Sequence, residues 1–385
     1  IIALNEHKLL GTMKYVLILL TVLSLFGCQP AKEHVADSVS DMEKLVVIDS
    51  EACSGDTTIY LSSLIDTLQI VTLGPGSAPV GGVYDLTMTD QHVLIIPGSD
   101  QDSVKMMDLD GTTLFSIPMP SFDGDIPSYV NGAIDEPRRK VYLSKQGEIE
   151  SYDFDGTLHR TYTIKEIHNP SLYLYPSGNL AVVSMCFSDL GDTVAVAQFN
   201  PDMEVNGVED VTVCHYPPLQ AGVSSLGSLY DNTRAIGMSS KLLFSFILTT
   251  DTTYYYDAEN NKIFPHIVVD NHSFSRDILK YSYELLTGYI GGCESINGRE
   301  YYWLDKQSGK VMELTIFDDY LGRNVHPYYL SDDDYCMFFN MRTHRNYVQN
   351  LLKNESLTDS QRQRIESILN APENCLVIMR GEKIN

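Results

Sequence analysis

Lys140 to Ile164 reads KVYLSKQGEIESYDFDGTLHRTYTI, and its pattern decides the fold. Val141, Leu143, Ile149, Tyr152, Phe154, Leu158, Tyr162 and Ile164 place β-branched, aromatic and aliphatic residues in three short runs, the types that fit a pleated, half-buried surface. The runs break at Gln146-Gly147 and again at Asp155-Gly156. The Asp-Gly break predicts a two-residue hairpin, because such a turn needs positive φ and glycine adopts it without a Cβ clash. Three short antiparallel strands cannot bury both faces by themselves, so the stretch reads as one blade of a repeated sheet.

The unit recurs. Met107-Asp108-Leu-Asp-Gly111, Tyr152-Asp153-Phe-Asp-Gly156, the looser Phe199-Asn200-Pro-Asp202, Tyr256-Asp257-Ala-Glu-Asn260 and Leu304-Asp305-Lys-Gln-Ser-Gly309 are each flanked by apolar runs. From Asp108 the steps are 45, 47, 57 and 48 residues, about the length of four strands and their turns. Stacking such sheets around a ring completes their cores, and five turns plus the leftover ends predict six blades, with seven as the alternative. Asp153 and Asp155, tempting as catalytic carboxylates, recur as turn residues and specify the blade.

Two departures from the repeat stand out. The blade after Asn200 is stretched around Gly222 to Asn232, and such insertions usually lie on one propeller face, where ligands bind. The last blade is interrupted after Tyr335 to Phe339 by a helix that Thr358 caps, with Gln361 completing a capping box, Leu357, Ile365, Ile368 and Leu369 on one side, and Asn370 then Pro372 as the stop. Cys375 to Met379 then reads as a closing strand, which a ring must pin to its start. The closing blade is therefore predicted to combine this strand with strands from Leu45 to Leu73. The expected fold is an all-β, six-bladed β-propeller with one short helix inserted in the last blade.

The chain of 385 residues carries 27 basic and 51 acidic residues, a net charge of −24. That charge repels phosphate backbones and anionic membrane surfaces, so nucleic acid is excluded as a partner class. The 24 Tyr against one Trp suit strands with half-buried rims.

Residues 1–12 do not begin with Met, whereas Met13 is followed by Lys14 and an apolar run from Tyr15 to Phe26. A basic start and an apolar run of about a dozen residues, too short for a comfortable membrane span, predict a secretory signal over 13–27, with 1–12 as an upstream mis-start. The run ends in Leu25-Phe26-Gly27-Cys28, which resembles the bacterial lipobox. That resemblance implies cleavage behind Gly27 and attachment of lipid to Cys28, whose acyl chains would anchor the protein in a bilayer. Loss of residues 1–27 removes Lys8, Lys14 and Glu6 and leaves a still more acidic chain. Residues 28–44 have no apolar period and read as a flexible tether, and 45–385 as the propeller.

A lipobox, the segment LSSLIDTLQIVTL from Leu61 to Leu73, the repeated turns and the ending Glu373-Asn374-Cys375-Leu376-Val377-Ile378 together resemble the six-bladed, TolB-like β-propeller lipoproteins of gut Bacteroidota. Cys375 stands where that family commonly has proline. The resemblance spans nearly the whole chain and implies export, lipid anchoring and an outer-membrane, cell-envelope location. Members of the family generally have no assigned reaction, so it implies no mechanism.

Chemistry-bearing motifs are sparse. Beyond Cys28 the cysteines at 53, 186, 214, 293, 336 and 375 show no CxxC spacing, so zinc clusters and redox dithiols are not expected. Cys186 and Cys214 would meet if their strands were adjacent, but scattered buried thiols are the simpler reading. His326 and Asp332-Asp333-Asp334 could meet at a blade edge as a metal site, but a solvated acidic loop is the favoured reading. Gly74-Pro75-Gly76 and Gly81-Gly82 lack the lysine and helix of a phosphate loop. Asp108-Leu-Asp-Gly111 lacks the later Glu of a calcium loop. No catalytic residue, metal ligand or cofactor is assigned.

The leading expectation is a lipid-anchored binding or scaffolding module for a glycan, peptide or envelope protein. The alternative is a propeller enzyme, a hydrolase or lyase on polysaccharide or peptide, since propeller active sites gather residues from separate blades and leave no linear motif. Glu284, Glu294, Glu300 and His272, in a Tyr-rich region, are the residues that could line such a channel. A buried carboxylate and histidine meeting at the channel mouth would favour the enzyme.

Overall fold

The computed structural model describes residues 44–382 except 100–101, 120–128, 130, 146, 164–170, 187–192, 202–211, 217–232, 239–240, 247–251, 271–278, 286, 296–297, 328–329 and 331–333. Cys28, His272, Asp332 and Asp333 and the insertion at Gly222 to Asn232 lie outside the described residues.

Six sheets follow one another along the chain. Blade one is Val83–Met88, His92–Pro97, Ser103–Asp108 and Thr113–Pro118, hydrogen-bonded in that order. Blade two is Asn131–Asp135, Lys140–Lys145, Glu148–Asp153 and Leu158–Thr163. Blade three is Ser171–Leu174, Leu180–Cys186, Thr193–Phe199 and Thr212–Tyr216. Blade four is Thr233–Met238, Lys241–Phe246, Thr252–Asp257 and Lys262–Asp270. Blade five is Leu279–Leu285, Gly288–Ser295, Gly298–Asp305 and Val311–Asp318. Blade six has three strands among the described residues, in the order Asp334–Asn340, Leu376–Glu382, Thr67–Thr72. The fold is thus a six-bladed β-propeller, as the repeat predicted. Each described recurring Asp turn joins the third strand of its blade to the fourth, and blade six has no such turn because its last strand comes from the other end of the chain.

The opening stretch supplies the second to fourth strands of blade two. Its first strand, Asn131–Asp135, has the sequence NGAID and lies before that stretch. The Asp-Gly turn also differs from expectation. Asp153 N–H donates to Thr157 O at 2.9 Å, Gly156 N–H donates to Asp153 O at 2.8 Å, Gly156 has φ +81°, and the register slips between Ser151 and Tyr152. This is a three-residue loop closed by a left-handed glycine and a bulge. A two-residue turn of the expected type needs positive φ at both positions, and Asp155 is not among the described residues that have it. The tighter connection is the one between the second and third strands, where Lys145 faces Glu148 and Gly147 has φ +71°.

Hydrophobic burial follows the ring. One cluster joins Leu94, Val104 and Phe115 of blade one to Val141 and Leu143 of blade two. Others join Tyr142 to Val182 across blades two and three, Val183 to Phe244 across three and four, and Ile267 to Tyr302 across four and five. Blades five and six share Ile290, Ile316 and Phe339, and blades six and one share Ile378 and Ile95. Each sheet therefore buries both faces against its two neighbours, which is why no blade is stable alone.

Closure is more elaborate than predicted. Leu376–Glu382 pairs with Thr67–Thr72 as expected, with Val377 facing Thr72. The two earlier N-terminal strands go elsewhere. Val46–Asp49 adds to the outer edge of blade four, Val46 facing Ile267, and Cys53–Tyr60 adds to blade five, Tyr60 facing Phe317, both in parallel. An open outer edge accepts a strand in either sense, and each capture satisfies backbone groups that would otherwise meet only water. The N-terminal chain thus crosses the outer edges of blades four and five before it enters blade six.

Two α-helices interrupt blade six rather than one. Asp359–Leu369 has the predicted Thr358 and Gln361 capping box and buries Ile365 and Ile368. The other, Met341–Leu351, starts at Asn340, whose side chain accepts from Arg342 N–H, and buries Met341 and Val348. No helix among the described residues is long and apolar enough to cross a membrane. Cys186 and Cys214 sit on the second and fourth strands of blade three, with Cys214 opposite Val196 of the strand between them. Two strand spacings of about 4.8 Å put their backbones beyond disulfide reach, so the condition for a bridge, adjacent strands, is not met.

Candidate functional site

Among the described residues, blade six has no full inner strand. Thr67–Thr72 leads directly into the first strand of blade one and pairs antiparallel with Leu376–Glu382, so it takes the place of the fourth strand. Counting inward, Leu376–Glu382 is third and Asp334–Asn340 second. At the inner edge of Asp334–Asn340 the only pairing among the described residues is the single bridge between Leu330 and Tyr335. A cleft of about 530 Å³ opens at that edge. Arg323, His326, Phe339, Asn340, His344 and Tyr347 line it, with Gly82 and Val83 of blade one.

The edge itself offers backbone groups. Met341 N–H donates to Cys375 O at 3.1 Å, one step beyond the pair Asn340 and Leu376. Hydrogen-bonded and non-hydrogen-bonded pairs alternate in an antiparallel ladder, so Phe339 and Met337 bond toward Leu376–Glu382 while Asn340 and Phe338 aim the other way. Asn340 agrees with this, since its N–H is taken by His344 Nδ1 at 3.0 Å. The N–H and C=O of Phe338 remain directed at the cleft.

Side chains add donors. Arg323 is folded back from the fourth strand of blade five by its contact with Asp318, Nε to Oδ2 at 3.4 Å. Asp318 also accepts from the N–H groups of Tyr320 and Leu321, each at 3.0 Å, and burial pushes its carboxyl above the usual range against the pull of Arg323. The guanidinium lies 5.6 Å from the Phe339 ring centroid and 5.7 Å from that of Tyr347, and donates to Tyr347 Oη. Because the phenol accepts from Arg323, its own O–H is left to donate. Because His344 Nδ1 accepts from Asn340, a neutral ring carries its proton on Nε2, and burial holds the imidazole below its usual pKa. Among the described residues no lining side chain is an Asp or Glu, in a chain that has 51 of them. The cleft is rich in donors and poor in acceptors, so it complements a ligand group that accepts hydrogen bonds.

Of the described candidate ligand and catalytic residues singled out from sequence, His326 alone lines this cleft. His326 accepts from Arg299 Nη1 at Nε2, 2.7 Å, and its Nδ1 lies 2.6 Å from Tyr301 Oη, so both ring nitrogens are engaged and neither is available to a metal. No group of three or more potential ligands occurs among the described residues. Glu284 does meet a histidine. His266 Nε2 is 2.9 Å from Glu284 Oε2 and Lys306 Nζ is 2.7 Å from Oε1. His266 reaches Glu284 from a bulge in blade four, where Thr253 faces Ile267 and Tyr254 faces Pro265. The pair is buried in the seam between blades four and five, with His266 fully buried, and shares no residue with the cleft. Burial raises the Glu284 carboxyl, but the bonds from His266 and Lys306 outweigh it and hold the group below the usual range. A carboxylate kept ionised and closed off from solvent ties two blades together and is poorly suited to proton transfer. Glu300 accepts from Tyr302 Oη at 2.5 Å on blade five, and the side chain of Glu294 lies outside the described residues.

A similar polar tie joins blade two to the segment before it. Tyr129 and Tyr152 donate to Glu150 Oε2 at 2.7 and 2.6 Å, and Lys145 bonds the other oxygen. Burial and the bond to the Glu150 carboxylate push Tyr152 up to about 12, against the opposing pull of Tyr129 and Lys145.

No protein-family model matches the chain, and no curated protein matches it. Among solved structures it resembles a Bacteroides fragilis protein described as exported, with a TM-score of 0.56 and 11% identity over 89% of this chain and 100% of that one. A protein from Bacteroides caccae aligns with a TM-score of 0.38 at 12% identity, over 63% of this chain and 75% of that one. The extracellular domain of a one-component system from B. thetaiotaomicron aligns at 0.37 and 12%, over 60% and 27%. At such identities the first likeness speaks for the fold, and the class it defines with the ring described above is the six-bladed β-propeller.

Proposed function

We propose that this propeller is an exported, envelope-located binding module, held to a bilayer through lipid on Cys28, which presents the cleft beside blade six to a glycan, peptide or protein partner. The observation that carries the reading is the cleft itself: about 530 Å³, within the range of ligand sites, with unspent donors from Phe338, His344 and Tyr347 and no described carboxylate. The lipobox-like Leu25 to Cys28 supports the anchor. The location, and the resemblance to outer-membrane lipoproteins, rest on that sequence signal.

Two experiments test the two halves. Cells fed an alkyne fatty acid should label the full chain and recover it with membranes, and the Cys28→Ala chain should lose both properties; retention in the membrane without Cys28 would refute anchoring. The purified full chain in detergent, screened on glycan and peptide arrays, should bind a defined set of probes, and Tyr347→Ala should weaken that binding at least fivefold. Binding that ignores Tyr347 would move the site away from the cleft.

A further inference from the structure

From the side chains that line the cleft we infer that its ligand is a neutral sugar bearing an N-acetyl group, with the pyranose against the Tyr347 ring and the acetamido group among Thr343, His344 and Phe339. The inference rests on the binding-module reading and narrows it to one ligand class.

Three features converge on it. The first is a set of polar atoms matched to a secondary amide. Thr343, His344 and Tyr347 lie on one face of Met341–Leu351, and all three line the cleft. His344 Nε2–H and the Tyr347 hydroxyl are donors, because His344 Nδ1 accepts from Asn340 N–H and the phenol oxygen accepts from Arg323. The Thr343 hydroxyl donates to Asn340 O at 3.3 Å, which leaves its oxygen to accept. An acetamido group has one carbonyl for the donors and one N–H for Thr343. The second feature is the apolar wall of Val83, Met337 and Phe339 beside these atoms, which suits the acetyl methyl. The third is a platform. The Tyr347 ring lies 27° from parallel to that of buried Phe339, with centroids 6.5 Å apart, and Arg323 fixes its hydroxyl, so a rigid aromatic side chain stands 44% exposed at the lip. A pyranose has an apolar C–H face and a rim of hydroxyls, the same division that tyrosine presents. A peptide bond satisfies the amide partners as well, but the sugar adds the flat face that the ring accommodates.

Charge selects among sugars. Arg323 is paired with Asp318, and burial keeps His344 neutral, so these side chains bring no net charge to the cleft. The chain's −24 repels an anionic sugar. The same charge attracts an amino sugar at long range, yet its ammonium would face the donors of His344 and Tyr347. Preference for the acetylated form therefore reports the cleft and not the overall field.

The full chain in detergent would be titrated by calorimetry with oligosaccharides of N-acetylglucosamine and N-acetylgalactosamine, with their de-N-acetylated forms and with cellotriose, while random decapeptides are selected on it by display. An N-acetylated sugar is expected to bind at least tenfold more tightly than its amine and hydroxyl counterparts, and Tyr347→Ala to weaken it at least fivefold. His344→Asn keeps an acceptor near the place of Nδ1 and removes the Nε2 donor, and is expected to cost at least fivefold at matched thermal stability. Equal affinity for acetylated and de-N-acetylated sugars, or no effect of His344→Asn, would overturn the acetamido assignment. Selection of a peptide whose binding is lost in Tyr347→Ala, with no sugar bound, would overturn the sugar while keeping the binding module. Failure of every sugar and every peptide would overturn both.

Discussion

Arg323 donates to the Tyr347 phenol at 2.5 Å while its other side faces Asp318, so one cation links the exit of blade five to the helix inserted in blade six. Asp318 is fully buried and the Arg323 side chain is 10% exposed. Breaking such a pair strands a buried charge. Arg323→Met should therefore cost about 3–5 kcal/mol by urea denaturation, and the double variant with Asp318→Asn should recover a substantial part. Strict additivity of the two single costs would mean that the groups do not sense each other.

The recurring glycines are not equivalent. A Cβ on Gly111, which has φ +90°, would lie 1.9 Å from the backbone nitrogen of Gly74, whereas one on Gly309, φ +67°, meets nothing within 4 Å. Gly309→Ala bears only the left-handed penalty of roughly 1–2 kcal/mol. Gly111→Ala adds a clash that needs backbone movement, and should cost at least about 2 kcal/mol more in the same denaturation series. Equal costs would show that the Leu73 to Gly76 link shifts freely.

Acid sensitivity should trace to the buried carboxylates. Burial alone would raise Glu150, but hydrogen bonds from Lys145, Tyr152 and Tyr129 hold it below the usual carboxylate value. A depressed folded-state pKa contributes stability that is complete above the unfolded value, near 4.5, and is lost as pH falls through the lower folded value. Glu150→Gln should lower the melting temperature at pH 7 and flatten its fall below about pH 4.5. A variant whose acid limb parallels the parent would exclude Glu150 as a contributor.

Ring closure depends on the last strand. Leu376–Glu382 lies between Asp334–Asn340 and Thr67–Thr72, and Leu376, Val377, Ile378 and Met379 are fully buried. A chain ending at Asn374 should lose its cooperative melt and its near-ultraviolet circular dichroism, because blades one and five then each expose an apolar face. Retention of a sharp transition would mean that five blades close without the sixth.

The fold was legible because the turn between third and fourth strands is specified locally. Asp108 and Gly111, or Asp153 and Gly156, make their defining bonds within five residues, and the spacing of such turns counts the blades. What escaped reading depends on distant partners. The parallel capture of Val46–Asp49 and Cys53–Tyr60 has no local signature, since any exposed outer edge would take them. The helix Met341–Leu351 buries only Met341 and Val348, seven residues apart, and contains Thr343, His344 and Asn346, which are weak helix formers. Packing on blade six holds it, and the one local cue was Asn340 as its cap. The cleft escaped for a related reason. Its walls run from Gly82 to Tyr347 and gather residues from blade one, the exit of blade five and the helix in blade six, a convergence that no motif announces.

The order in which the chain is made gives the N-terminal crossing a temporal meaning. Val46–Asp49 waits for Lys262–Asp270, Cys53–Tyr60 waits for Val311–Asp318, and Thr67–Thr72 waits for Leu376–Glu382. Each of these strands is thus made long before its partner and exposes an aggregation-competent edge until that partner emerges. Completion of the ring therefore waits for Leu376–Glu382, and a product truncated before that strand never acquires the closed surface.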